Sequence, residues 1–438
     1  MHARDEKRPA RRELLAYGAC ALGAASLACH SANATRERAL AADRVEELDV
    51  LFADLKSGAQ GVEPIRPDER AARRKRAAAL CAEFGVDALL VEGGATFAYL
   101  TGMSWWPSER LFALVVLADG SHFWVSPAFE EEKARLKLRH DPLLGEDVLA
   151  WQEHEYAWKP LAAELARRRV ERVAIDPAAR FFVADGVANA FGRERVVLGD
   201  RIVGRLRGVK DEHELAILRR ASELTQASLI AVAKHVRPGQ TAKEISELVQ
   251  HAHRRVGLTN PWDLTLVGAQ AAYPHGEDKS AELGRDQFVL IDTGGTLHGY
   301  QSDTTRTWCP AGKPPEREAR AWATVRDAQQ RAFEAIRPGV PCADVDRAAR
   351  EAIERAGFGS GYQALTHRLG HGIGMEGHEA PYFDGGSEVR LEPGMTLSNE
   401  PGIYVLGEYG IRLEDIVVAT ASGADHFGSW QATPISPA

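Results

Sequence analysis

The sequence predicts an α+β protein, in which a smaller α/β layer domain precedes a larger domain made of a duplicated helix–helix–β unit. Three observations carry that reading. Apolar runs at 88–91, 111–117, 122–125, 173–175 and 195–198 alternate with helical stretches, the pattern of an α/β layer. Arg-Pro-Gly closes a helix twice, at Arg237-Pro238-Gly239 and at Arg337-Pro338-Gly339. Each time a second helix, a His-bearing segment and an acidic hairpin follow, so one unit recurs about one hundred residues later.

At 438 residues the chain exceeds one ordinary core, which fits two domains. Hydrophobic content of 45% and charged content of 26% are those of a soluble globular protein. A net charge of −8 leaves no basic footprint, which argues against a nucleic-acid partner. The five cysteines (Cys20, Cys29, Cys81, Cys309, Cys342) form no CxxC pair, excluding a thiolate zinc site or a disulfide scaffold. Cys309 and Cys342 read as buried free thiols, with a pairing in an oxidising compartment as the alternative.

Residues 1–30 read as an export signal. A basic region ends in Arg11-Arg12, and Leu14-Leu15 and a small-apolar run through Ala28 follow. That run is too short to span a bilayer, and no later stretch is apolar enough to do so. Arg11-Arg12-Glu13-Leu14-Leu15 resembles a bacterial twin-arginine signal, and Leu27-Ala28-Cys29 a lipoprotein cleavage site. The expected location is periplasmic or lipid-anchored, or cytoplasmic where the signal is unused.

Residues 31–67 read as a helix and a Gly/Pro linker, and 68–205 as the α/β domain. That domain carries no dense polar constellation, and Trp105-Trp106 reads as packing or an interface. The larger domain, 206–438, opens on Asp211 with Glu214 as a capping box. Thr241 with Glu244 caps its second helix.

Phe288 to Trp308 reads as a hairpin, with turn chemistry from Gly294-Gly295 and His298-Gly299. Asp292 and Asp303 face each other if the turn centres near Leu297-His298. In the second copy Glu400 and Glu414 flank a turn centred on Gly407, with His371 upstream in Gly370-His371-Gly372. Two copies face to face place four carboxylates and an imidazole in one cleft. Such a set cannot share a cleft without compensating positive charge, and Arg412 is too little. Divalent cations are the economical solution, and an oxygen-rich set with one imidazole suits manganese, cobalt or iron, with zinc left open. Two cations sharing carboxylates can activate water and polarise a carbonyl, so the expected reaction is hydrolysis of an amide or ester.

The set Asp292, Asp303, His371, Glu400 and Glu414, with Asp-x10-Asp spacing and His371-Gly372-Ile373-Gly374, resembles the pita-bread metallopeptidases. Within that family the chain looks most like prolidases (Xaa-Pro dipeptidases) and proline-specific aminopeptidase P. The resemblance spans roughly Val209 to Ser422. A weaker likeness around Tyr99-Leu100-Thr101-Gly102 resembles the creatinase-like amino-terminal domain of proline-directed members.

The resemblance implies two divalent ions per chain, one on Asp292, one on His371 and Glu400, with Asp303 and Glu414 bridging. It implies Glu400 as general base and His275 and His378 as contacts to the scissile region. Arg412 would orient the cluster or face substrate, and His367 would support a ligand from behind. It also implies peptide substrates with proline at the second position and a homodimer. Tyr382 departs from the pattern: several dipeptide-specific members carry an arginine there, which can clamp a dipeptide carboxylate. A tyrosine hydroxyl is a weaker carboxylate partner, so dipeptides and longer Xaa-Pro peptides both stay open. The rival readings are a non-peptide amidohydrolase of the creatinase type and a non-catalytic binding protein of the same shape.

Overall fold

The computed structural model describes residues 43–277 and 281–438. Contacts divide the chain after Leu55. In the first unit the described part contains helix α1 (residues 43–51), where Arg44 and Glu47 pair at 2.7 Å across one turn. The export-signal reading of residues 1–30 lies outside the described residues. The second unit, Lys56–Ala438, holds everything that follows.

Helix α2 (Pro67–Glu83) starts with proline in its first turn, leads into strand β1 (Ala88–Glu92), and helix α3 (Ala95–Thr101) follows. Next come β2 (Ala113–Leu117), β3 (His122–Pro127), α4 (Glu131–Leu138), β4 (Val148–Trp151) and α5 (Trp158–Arg167). The layer closes with β5 (Val173–Ile175), α6 (Phe181–Phe191), β6 (Val196–Leu198) and α7 (Asp200–Gly208). Its six strands lie in the order β4-β3-β2-β1-β5-β6. Strand β1 is buried on both faces: Leu89 and Val91 join one core cluster, Ala88 and Leu90 another. That is why its sequence is a continuous apolar run and not an alternation. Trp105 stacks on Phe112 at 3.7 Å, whereas Trp106 is exposed.

The duplicated part begins with α8 (Glu212–Ala233) and α9 (Ala242–Val256), each opened by the capping box read from the sequence. They cover β7 (Thr259–Val267), β8 (Val289–Leu297), β9 (Tyr300–Gln301) and β10 (Thr304–Trp308), with β8 between β7 and β10. The second copy has α10 (Glu316–Ala335) and α11 (Cys342–Arg355). Its strands are β11 (Gly370–Gly372), β12 (Glu379–Phe383), β13 (Thr396–Asn399), β14 (Gly402–Val405), β15 (Tyr409–Arg412), β16 (Asp415–Ala419) and β17 (Ala424–His426). The five-stranded sheet runs β12-β11-β13-β16-β17, and β14 pairs with β15.

The duplication extends to single hydrogen bonds. The first helix of each copy ends at Ala233 and Ala335, before the Arg-Pro-Gly expected to close it, and Gly239 and Gly339, at φ of 92° and 83°, turn the connection that follows. Their N–H groups donate to the Leu283 and Leu391 carbonyls at 2.7 and 2.8 Å. In return Leu283 and Leu391 donate to the carbonyls of Gln240 and Val340. Only a residue free to adopt positive φ suits that corner, which is why Arg-Pro-Gly recurs. Cys309 and Cys342 are buried free thiols.

The first hairpin corrects the expected turn and register. Gly294 and Gly295 lie inside β8, and the turn falls at His298-Gly299, both at positive φ. Gly294 is needed for close approach: a Cβ there would sit 1.8 Å from the Ser302 carbonyl oxygen. Asp292 consequently faces Thr305, not Asp303. A two-residue offset keeps side chains on the same face, so the two aspartates still meet, diagonally. In the second copy Gly402 faces Arg412 and Val405 faces Tyr409, which centres that turn on Gly407 as expected.

Two buried polar ties join the layer domain to the duplicated part. Arg73 on α2 donates to Tyr300 Oη at 2.9 Å and pairs with Glu214 at 3.3 Å. Arg207 at the end of α7 pairs with Glu379 on β12, and Lys210 Nζ reaches the other Glu379 oxygen at 2.7 Å.

Candidate active site

The acidic cluster lines a cleft of about 530 Å³, with Trp262, Leu264, His275, Arg368 and His378 on its walls. Strand β8 supplies Asp292, the residue just before β10 is Asp303, and β11 supplies His371. Glu400 and Glu414 lie in the two short links between the sheet strands β13 and β16 and the hairpin β14–β15. All five predicted ligand positions converge. Donor atoms of Asp292, Asp303 and Glu414 lie within 4.8 Å of one another, as do those of His371, Glu400 and Glu414. A third grouping joins Asp303, His371 and His378.

The hydrogen bonds orient these groups. His371 Nδ1 faces its neighbour's carbonyl, Gly372 O, at 3.1 Å, so Nδ1 carries the proton and Nε2 presents a lone pair. Nε2 points at Glu400 Oε1, 3.3 Å away, and Asp303 Oδ2, 3.7 Å away. Burial drives the His371 pKa down to about 4, so the ring stays neutral. Ser398 Oγ accepts from the His371 N–H at 2.9 Å and donates to Glu400 Oε1 at 3.0 Å. Thr305 Oγ1 donates to Glu414 Oε2 at 2.7 Å.

Lone pairs therefore face lone pairs. Asp292 Oδ1, Asp303 Oδ1 and Glu414 Oε1 are buried without a hydrogen-bond partner among the described residues. Burial and then the neighbouring carboxylates push the Asp303 and Glu414 pKa values well above normal, and burial lifts Glu400 to about 7. An all-acceptor shell with orphaned oxygens fits divalent cations.

Arg412 sits behind the shell. Its Nη2 donates to Asp292 Oδ2 at 2.6 Å, Nε to Thr305 Oγ1 at 3.1 Å, and Nη1 to Tyr404 Oη at 3.1 Å and Pro274 O at 3.2 Å. The last bond fixes the residue before His275. His367 Nδ1 faces the Arg368 carbonyl at 2.6 Å, so its Nε2 accepts from Tyr404 Oη at 2.8 Å. His367 thus supports Arg412 through Tyr404 and lies outside the donor groupings. His378 stacks on His371 with ring centres 3.7 Å apart.

The model of metallopeptidase family M24 matches residues 216–421, and the creatinase/prolidase N-terminal domain matches 73–209. The Mycobacterium tuberculosis protein named probable dipeptidase PepE is 36% identical over 360 residues, covering 81% of this chain and 93% of its own. The chain belongs to metallopeptidase family M24. The crystal structure of dipeptidase PepE from Mycobacterium ulcerans superposes with a TM-score of 0.77 at 31% identity, covering 84% of this chain and 97% of its own. A prolidase from Thermococcus sibiricus gives a TM-score of 0.69 at 26% identity, covering 82% and 96%.

Several cleft residues of this M24 metallopeptidase carry no sequence-level signal. Trp262 and Leu264 face the cleft from β7, and nothing in their local pattern marks them. Tyr404 is found only through its bonds to Arg412 and His367. Arg368 stands between two residues already singled out, His367 and His371, yet reads locally as an ordinary exposed arginine.

Proposed function

We propose that this metallopeptidase is a dinuclear exopeptidase that cuts Xaa-Pro bonds. The observation that carries the reading is the pair of overlapping donor groupings, Asp292-Asp303-Glu414 and His371-Glu400-Glu414, which share one carboxylate. Two cations would fit such a set: Asp292 would hold one, His371 and Glu400 would hold the other, and Asp303 and Glu414 would complete both. Manganese suits this donor chemistry, as do cobalt, iron and zinc. When bound, the cations supply Lewis acidity to the scissile carbonyl and to the attacking water.

The protein's own groups do the rest. Glu400 accepts the proton of the attacking water and returns it to the leaving nitrogen. His275 and His378, on opposite segments of the cleft wall, donate to the carbonyl oxygen as negative charge develops on it. Arg412 holds Asp292 in place, and its bond to Pro274 O ties the His275 segment to the same anchor. The tertiary amide nitrogen of an Xaa-Pro bond lacks a proton, and the cleft wall at Trp262 and Leu264 offers apolar surface to substrate side chains. Likeness to the Thermococcus sibiricus prolidase supports this specificity.

The test is direct. Manganese-loaded protein is assayed on Xaa-Pro dipeptides and longer Xaa-Pro peptides, with chelated protein in parallel. Metal-dependent release of the amino-terminal residue is expected. No release of either kind overturns the reading, and full activity after exhaustive chelation transfers the chemistry to a metal-free hydrolase.

A further inference from the structure

Two arginines line the cleft. Arg412 is committed, with Asp292, Thr305, Tyr404 and the Pro274 carbonyl taking four of its five N–H donors. Arg368 is not. Its guanidinium lies over the Tyr382 ring, Cζ 4.4 Å from the centroid, and makes no hydrogen bond or ion pair among the described residues. A ring contact of this kind uses none of the N–H donors, so the guanidinium fork keeps its capacity to receive a carboxylate in two parallel bonds.

The support beneath Arg368 is rigid. Arg350 Nη2 donates to the His367 carbonyl at 2.6 Å, and Asp346 Oδ1 accepts from the Leu369 N–H at 3.0 Å. Asp346 and Arg350 are themselves a buried bidentate pair, so the backbone on either side of Arg368 is pinned. Tyr382 is equally fixed, directly opposite His371 in the β11–β12 pairing. Arg368 lines the same cleft as the stacked His371 and His378 and the four carboxylates.

We propose that Arg368, seated on Tyr382, binds the free carboxylate of the residue that follows the scissile bond, so that this site selects dipeptides over longer chains. The inference rests on the exopeptidase reading above. In a dipeptide the carboxylate carbon is two bonds from the leaving nitrogen. In a longer peptide the same carbon is a neutral amide carbonyl, which cannot form a charge-assisted pair. Tyr382 is then the platform that aims the guanidinium, which explains an aromatic residue at that position.

The experiment compares Ala-Pro, Ala-Pro amide and Ala-Pro-Gly on the manganese-loaded full chain, with Ala-Leu and Ala-Leu amide alongside. The expected kcat/KM ratio of acid to amide is about 10- to 100-fold, expressed mainly in KM. Arg368→Gln is expected to collapse that ratio toward unity, Arg368→Lys to restore part of it, and Tyr382→Leu to lower it. Because acid and amide are read on the same preparation, a poorly folded variant slows both and leaves the ratio interpretable. A ratio near one in the parent chain, or one that survives Arg368→Gln, overturns the proposal, as does faster cleavage of Ala-Pro-Gly than of Ala-Pro. The two readings fail separately. An acid preference that depends on Arg368 but appears only with Ala-Leu keeps this proposal and removes Xaa-Pro specificity; Ala-Pro cut without acid preference does the reverse.

Discussion

Arg412 reaches Asp292 with a 2.6 Å charge-assisted bond while two further donors hold Tyr404 and the Pro274 carbonyl. One guanidinium thus orients a carboxylate of the cluster and the backbone next to His275. A lysine offers a single charge point and cannot span those partners. Arg412→Lys is expected to lower manganese affinity by about 10- to 100-fold, as loss of a group supporting a metal ligand does. Titration calorimetry reads it, and unchanged affinity would remove Arg412 from the site's architecture.

Glu400 is expected to be indispensable in a way its neighbours' geometry cannot replace. Glu400→Gln keeps the side-chain shape but cannot take a proton, and turnover should fall by about 10²- to 10⁴-fold. Metal content of the variant, measured alongside, separates loss of the base from loss of the cation. A variant that binds two cations and retains parental kcat shows that another group moves the proton.

Cation binding and pH are linked with a definite sign. Burial raises Glu400 from its ordinary 4.5 to about 7, and raises Asp303 and Glu414 also. Groups whose folded pKa is raised stabilise the fold below their unfolded value, and that contribution is lost as pH rises through the folded value. The chelated protein should therefore weaken as pH climbs through this window, from about 4.5 to 7 for Glu400. Manganese should restore stability most at the alkaline end, with release of protons. Calorimetry in buffers of different ionisation enthalpy measures the protons, and none released would contradict the site's charge state.

His253 carries the opposite sign. It is fully buried on α9, its Nδ1 at 2.8 Å from the Val249 carbonyl, and burial lowers its pKa from 6.5 to about 4. The unfolded chain takes up that proton first, so stability falls as pH drops from 6.5 toward 4. His253→Leu should flatten this acid limb by up to about 3 kcal/mol in urea unfolding of chelated protein. An acid limb as steep as the parent's would assign the effect elsewhere.

Glu379 is the buried anion that Lys210 and Arg207 share. Glu379→Ala would leave two buried cations without it, and a loss of about 3–5 kcal/mol is expected in denaturant unfolding. A loss below about 1 kcal/mol would mean that water or Glu376, which pairs with Arg207 at 2.8 Å, takes over.

The ligand set was legible because it is written in short-range terms. Glu400 and Glu414 are symmetric about Gly407, and the index sum alone places them together. Asp292 and Asp303 were legible as a pair but not in register. The hairpin turn was read from glycines, and Gly294 serves close packing against Ser302 instead of a turn. Arg368 was not legible: its importance depends on a ring fourteen positions away that a β-pairing brings beneath it. Trp262 and Leu264 likewise matter only because β7 lines the same cleft.

The sequence alone determined the two-part α+β plan, the internal duplication and the identity of the acidic cluster. Those follow from periodicity, punctuation and residue chemistry, which act over one helix or one hairpin. Tertiary structure alone decided which oxygens lack partners, which way His371 turns its lone pair, and which arginine remains free at the cleft. Those are set by burial and by contacts between segments tens to hundreds of residues apart, and no local pattern encodes a distance of that kind.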